Sequence, residues 1–434
     1  MALGGGRWKT QQKALPGTYI NFSSGGLAAP ALSERGIVAV PLFLHWGEEG
    51  KVFFLSRETI GKDCKRLLGY PYGCPELLPI RELFGGAKKL LCYRVNKGAI
   101  KAKNTLATAL WGGIRGNDIK TAIVAEPGGF FTVETYVEGI LADSQRVSRR
   151  EELGDNDWVS FHPEAILAAS SGENLSGGTD GGAAGREEYD RFFLELCRHS
   201  FNILLCSSTE AEVKKQFMEW TKAMNEVFGA NFQLVCYRPI GDSELLIGVE
   251  NRALPPAAES DLVFWVAGAE AGCSEAASLT NRVYEGEIEV EDNLSQEELM
   301  GGIRGGKFLF HEVNGEVRVL EDVNTLKTFT LDKGEDFGQN QCIRLLHAIA
   351  NDVALLFNTR YLGKIQNSVD GRIALWNDVC KILAAYAEGG GIDEFQVENV
   401  KILPGETKKK VVCIIEKLNI ACAMTALYMN IIIE

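Results

Sequence analysis

Metal-ligand spacing is missing from this sequence. No C-x-x-C pair occurs among its eleven cysteines. The five histidines (His45, His162, His199, His311 and His347) stand apart from one another and from any Cys or Glu at ligand spacing. Each histidine therefore reads as a surface or hydrogen-bonded core residue, and no metal or other cofactor is expected. Scattered cysteines in odd number read as reduced, mostly buried thiols of an intracellular chain. Basic charge is also short. Lys and Arg number 45 against 58 Asp and Glu, a formal net charge of −13, which argues against nucleic-acid binding because phosphate needs positive faces. No apolar run approaches the roughly 20 residues of a membrane span. The best, residues 262–269, is far too short for insertion. The opening MALGGGRWKTQQK lacks the apolar stretch of a signal peptide, so secretion by that route is not expected.

Catalytic motifs are missing too. A Ser hydrolase of the elbow type needs G-x-S-x-G, and none occurs. The glycine clusters at 112–116 and 177–182 match neither G-x-x-x-x-G-K-[ST] nor G-x-G-x-x-G, and read as turns. The triplet Gly4, Gly5, Gly6 has no strand before it or helix after it, and reads as part of a flexible arm. With no convergent polar constellation, a chain of this size is better explained by interfaces than by an active site. The other-class alternative is a nucleotide-binding enzyme built on the central α/β layer.

What is present starts at the end of the chain. Residues 411–434 read VVCIIEKLNIACAMTALYMNIIIE, an apolar strand-like run, a polar break at 416–419, and a second apolar run. Exposed apolar strands invite pairing, so this stretch must complete a sheet, either its own or a neighbour's. Near the other end, residues 15–22 make one short strand between Gly-rich and Ser/Gly/Ala segments (linker 23–30). A solitary strand needs a sheet elsewhere.

Between these ends, 434 residues imply two to four domains. The pattern predicts strands at 36–44, 51–55 and 88–95 with a short helix at 77–84. Further strands are expected at 99–110, 119–126 and 130–138, the last two joined by the turn Pro127, Gly128, Gly129. Residues 187–199 place Tyr189, Phe192, Phe193 and Leu196 on one helical face. A strand at 201–206 leads to a helix reaching 228, with Thr209 and Glu212 as a capping box and Val213, Phe217, Trp220 and Val227 inward. With a strand at 232–237 this is a parallel β-α-β unit, and 259–271 reads as one more helix. Ser295 and Glu298 cap another helix. A hairpin turns at Asn314-Gly315, and long helices span 337–360 and 369–387. The run Lys408, Lys409, Lys410 after Pro404-Gly405 reads as a solvated hairpin tip, with an acidic partner as the alternative.

Several stretches in order then resemble one family. GGGRWKTQQKALPGTYINF, WGGIRGNDI, LSGGTDG, SLTNRVYEG and the closing helix-and-strand block are similar to the tail sheath proteins of contractile phages, of the Gram-positive prophage type. The resemblance implies a multidomain α/β and α+β fold. It divides the chain into an arm and linker (1–35), a small β-rich domain (36–95), and a central α/β domain (96–294) of subtilisin-like, non-catalytic fold. A C-terminal α+β domain (295–418) and a terminal strand arm (419–434) complete it. It further implies that the arms join sheets of neighbouring subunits, through Leu15, Thr18, Tyr19, Ile20 and Phe22 at one end and Met424, Leu427, Tyr428, Ile431, Ile432 and Ile433 at the other. Val411, Val412 and Ile414 belong to the receiving strand. Such heterologous contacts propagate into rings or helices. The implied partners are other copies of the chain, a tail tube protein, and baseplate and tail terminator proteins. The location is a virion tail assembled in the host cytoplasm. Lys401, Lys408, Lys409, Lys410 and Lys417 are candidates to face an acidic tube. A phage-tail-like bacteriocin sheath is the alternative within this class.

Overall fold

A computed structural model describes residues 35–405, 409 and 411–431, apart from the Ile415 side chain. Leu15, Thr18, Tyr19, Ile20, Phe22, Lys408, Lys410, Ile432 and Ile433 lie outside the described residues. Two compact units emerge, both discontinuous in sequence. Of the described residues, the first takes Arg35–Ala39, Glu82–Lys88 and those from His199 on. The second takes Val40–Arg81 and Lys89–Arg198.

The first unit is built on parallel strands. Val38 and Ala39 pair with Ile203 and Leu204, the strand Ile203–Cys206 pairs with Gln233–Tyr237, and that strand pairs with Leu246–Val249, all parallel. All four residues of Ile203–Cys206 are buried, as expected for a strand covered on both faces. The helix Ala211–Ala223 makes the crossover between Ile203–Cys206 and Gln233–Tyr237, so the expected β-α-β unit is present. The helix Leu262–Gly272 packs against the sheet and is apolar almost all round, which explains why ten of its eleven residues are buried. Its glycines permit close approach. A Cβ on Gly268 would fall on the Leu83 carbonyl oxygen, and one on Gly272 on that of Gly86.

Two details of the crossover helix differ from expectation. Thr209 and Glu212 form no capping box; the helix starts at Ala211 without a side-chain cap, and the Ser208 hydroxyl accepts from the Glu210 amide instead. The last turn, Met224–Phe228, is π-helical. The wider turn brings Met224 and Asn225 inward and leaves Val227 57% exposed, outside the predicted inner face. The Ser295–Glu298 box does form, with the Glu298 amide donating to Ser295 Oγ at 3.3 Å and the Ser295 amide to Glu298 Oε2 at 2.8 Å. The predicted hairpin pairs Phe310–Val313 with Glu316–Val319. It turns where Asn314 and Gly315 take φ of 54° and 83°, the left-handed geometry that two-residue hairpins need.

The second unit is mainly antiparallel. Val52–Ser56 pairs with Lys89–Arg94, and a four-stranded sheet runs in the order Ile140–Val147, Phe130–Val137, Ile119–Glu126, Ser170–Asn174. The predicted continuous strand at 99–110 is not observed. Only Ala107–Ala109 is a regular strand there, while Lys97, Ile100 and Lys103 form isolated bridges to residues 176–182. The helix Ile60–Leu68 was not anticipated; its only inward residues, Ile60, Cys64 and Leu68, are diluted by six others. Among the described residues, no helix is long and apolar enough to cross a membrane.

Candidate assembly interface

The last part of the first unit is two long helices with thin sheets laid on them. Asn340–Leu356, continued by the π turn Phe357–Tyr361, and Val369–Glu388 bury Leu345, Ile349, Val379 and Leu383 between them. Strand Lys401–Pro404 pairs antiparallel with Val412–Ile415, register Ile402 to Ile414. Trp376 Nε1 donates to the Val400 carbonyl at 2.9 Å, and Asn367 Nδ2 to the carbonyls of Lys409 and Val411 at 2.8 and 2.9 Å, fixing the hairpin to the helices. Even-numbered residues face the core: Val412, Ile414, Leu418 and Ile420 all pack on it. Glu416 shares that face. Its carboxyl lacks a hydrogen-bond partner at Oε2, and burial pushes its pKa up to about 8.

Both small ladders are minimal. Lys401–Pro404 with Val412–Ile415 is a two-stranded sheet, and so is Ile392–Asp393 with Asn419–Ile420. Among the described residues, no third strand joins either one. Isolated two-stranded ribbons are marginal in water, and an open strand edge is a template for pairing with another chain.

The chain leaves this site through a pinned root. The Ala421 amide donates to the Gly391 carbonyl at 3.1 Å. The buried Gln341 side chain then grips the next residues, donating from Nε2 to the Ala421 carbonyl at 3.1 Å and accepting from the Ala423 amide at 3.0 Å. Among the described residues beyond Ala423 no regular structure follows, and Met424 is 99% and Tyr428 95% exposed, with Leu427, Met429 and Ile431 exposed as well. The predicted second strand is therefore absent from the single chain over the described residues 421–431. Among the described residues, no strand of the chain pairs with this run. Lys401, Lys409 and Lys417 are exposed on the same hairpin region.

Sequence reading missed the charged cluster beneath this root. Arg344 Nη2 donates to Glu270 Oε2 at 2.6 Å and to Asp322 Oδ2 at 3.0 Å, with all three side chains at most 1% exposed. Asn340 Nδ2 reaches both acids, at 3.2 Å to Glu270 and 2.9 Å to Asp322. Burial, reinforced by the Asp322 charge, pushes Glu270 up to about 8. Burial also acts to raise Asp322, but the Arg344 guanidinium and its hydrogen bonds outweigh this and hold it below the usual range. The signal in sequence was a lone Glu inside the apolar run LVFWVAGAEAG.

A pH dependence follows with a definite sign. Unfolded Glu270 ionises near 4.3, whereas the folded group keeps its proton to about 8. The folded state thus holds the extra proton, and its contribution to stability is complete at low pH and falls as pH rises between these values. Glu270→Gln mimics the protonated form and removes this slope. Its melting temperature relative to the parent chain should climb from pH 5 to pH 8, which thermal melts at three pH values would check; a constant difference would contradict the assignment.

Among the described residues, no group of three His, Cys, Asp or Glu is placed to hold a metal ion. His45 Nδ1 lies 2.8 Å from Asp180 Oδ2, and His162 Nε2 lies 2.7 Å from Thr108 Oγ1, a carboxylate and a hydroxyl contact in place of ligand sets.

Comparison with known proteins agrees with this architecture. Family models match over most of the chain: "Tail sheath protein Gp18 domain III N-terminal region" at residues 35–95, "Phage tail sheath protein central domain" at 182–325 and "Phage tail sheath C-terminal domain" at 332–434. The phage-like element PBSX protein XkdK of Bacillus subtilis is 31% identical over 91% of this chain and 92% of its own length. The crystal structure of a sheath tail protein from Desulfitobacterium hafniense is 32% identical with a TM-score of 0.78, over 92% of this chain and 100% of that one. The anti-feeding prophage helical sheath in its contracted state shares the fold, at 12% identity and a TM-score of 0.56, over 97% of this chain and 99% of that one. The fold is thus a mixed α/β, multidomain one similar to sheath structures.

Proposed function

The chain belongs to the phage tail sheath family, a family of structural proteins and not of enzymes, and from this we propose that it is the sheath subunit of a contractile tail. The observation that carries the proposal is the exposed apolar segment from Met424 to Ile431, leaving a pinned root beside two-stranded ladders. Subunits polymerise around a tail tube between baseplate and tail terminator proteins, in an extended and metastable helical lattice. Residues 1–35 and 419–434 serve as arms and 295–418 as the sheath domain that receives them, with Val411, Val412 and Ile414 on the receiving strand. The central domain plays a structural part. The location is a virion tail, assembled in the host cytoplasm.

A trigger at the baseplate lets each ring rotate and move outward, and the linker at 23–30 absorbs the rotation while paired strands keep register. No nucleotide is consumed. If each subunit gains a few hundred Å² of apolar burial, roughly 25 cal/mol per Å² gives several kcal/mol per subunit before entropic costs. Summed over a tail, this drives the tube through an envelope. The expressed protein is expected to form tubes of regular width in negative-stain micrographs. Dispersed particles alone, at any concentration and with tube protein added, would overturn the proposal. The fold shared with the anti-feeding prophage sheath favours one second reading, a phage-tail-like injection machine with the same physics. Capsid genes beside the coding sequence would separate the two.

The lysines at 401, 408, 409, 410 and 417 give an acidic chain a local positive excess, suited to an acidic tube. Replacing Lys409 and Lys417 by Glu should reduce co-sedimentation with tubes, and added salt should weaken the parent contact. Unchanged loading would remove the idea.

A further inference from the structure

Arg35, the first described residue, and the C-terminal root at Ala421–Ala423 are both tied to one turn, the root through the side chain of Gln341. Helix Leu262–Gly272 runs into residues 273–277, which are folded tightly: the Cys273 amide donates to Ala269 O at 2.9 Å and the Ala277 amide to Ser274 O at 3.2 Å. From the N-terminal side, Arg35 Nη2 donates to Glu270 O at 3.3 Å, and its Nε lies 3.8 Å from the Glu275 carboxylate. From the C-terminal side, Gln341 Nε2 donates to Ala276 O at 2.6 Å while the same amide group holds Ala421 and Ala423. Beneath both, Arg344 Nη1 donates to Ala277 O at 2.6 Å, and its other nitrogen holds Glu270 and Asp322.

Gln341 is placed on the first turn of the helix Asn340–Leu356 and spends its whole side-chain amide on two segments: both donor protons on carbonyls of different segments, and its oxygen on the Ala423 amide. Arg35 meets the neighbouring positions Glu270, at the end of the helix, and Glu275, in the turn itself. We propose that the turn 273–277 is a common anchor that couples the root of the C-terminal segment at Ala421–Ala423 to the root of the N-terminal segment at Arg35. The inference rests on the reading of both ends as arms and adds a device to it. A load on one arm displaces the turn, and the turn carries the displacement to the other root, so the two lattice joints of a subunit yield together. Gln341, Arg35 and Glu275 are positioning residues in this scheme.

Hydrogen exchange on the full, unassembled chain tests it. Gln341→Leu should speed exchange at Ala421 and Ala423 and, by roughly fivefold, at residues 36–39; Arg35→Leu should do the same in both places. Two variants that each loosen only their own end would overturn the coupling. Should either lose the cooperative melting transition, Glu275→Gln carries the same test, since it leaves the Arg344 cluster and the Gln341 contacts in place. The assay reads single subunits. A chain that shows coupling but never forms tubes would contradict the sheath proposal alone, and tubes built from uncoupled subunits would contradict this inference alone.

Discussion

Removal of residues 424–434 is expected to leave a folded subunit that makes no sheath tubes. The cut falls just beyond the grip of Gln341 on Ala421 and Ala423, so the short ladder between Ile392–Asp393 and Asn419–Ile420 stays intact. The side chains lost among the described residues are exposed, and exposed side chains contribute within about 0.5 kcal/mol to stability. Assembly is another matter. Burying Met424, Leu427, Tyr428, Met429 and Ile431 against a neighbour gains about 1.5–3 kcal/mol each. Ordering the backbone costs about 1–2 kcal/mol per residue, which offsets much of that gain. The arm therefore acts mainly as a directional link, through main-chain hydrogen bonds to an open edge, and a lattice without links falls apart. Deleting residues 1–24 should have the same outcome. Thermal melts and micrographs of the two truncated chains check this; tubes forming as before would end the arm account.

Arg344→Met should produce the largest loss of stability from a single substitution, about 3–5 kcal/mol, because it strands a buried acid without its counter-charge. Asp322 bears most of the penalty, as its carboxylate is held ionised by Arg344 and is fully buried. Glu270 stays protonated up to about 8 and is spared the same conflict at neutral pH. Met keeps most of the volume, so a cavity contributes little. Denaturant titration would read the effect as a lower midpoint with an unchanged slope. A loss below about 1 kcal/mol would mean that the cluster is hydrated or replaceable, contrary to its burial. Replacing Arg344, Glu270 and Asp322 together by apolar residues is the informative control, since removing a whole buried cluster is often neutral.

Legibility in the sequence followed the range of the forces involved. The β-α-β unit, the Asn314-Gly315 hairpin, the Ser295 cap and the two long helices rest on local pattern and turn chemistry, and all four are found. Val227 escaped its predicted face because one π turn shifts the helical register, a packing choice without a local signal. The segment 99–110 reads as one strand, yet only Ala107–Ala109 is regular, and Ile100 and Lys103 form scattered bridges to Thr179 and Ser176, a pairing far away in sequence. The open C-terminal run was visible from composition, whereas its pinning by Gln341 was not, because a side-chain amide that clamps a backbone 80 residues away leaves no periodic trace. The Arg344 cluster was hidden for the same reason: three charges from three separate segments acquire meaning only once folded together.

The central claim concerns who owns the last strand, and a photo-crosslink reads it directly. A photoreactive phenylalanine in place of Tyr428 would be irradiated in assemblies made from an equal mixture of heavy- and light-isotope chains. The account predicts mixed-isotope cross-links from position 428 to the ladder strands Lys401–Pro404 or Val412–Ile415. Cross-links confined to chains of one isotope would place the segment in its own subunit and contradict the exchange of strands between copies.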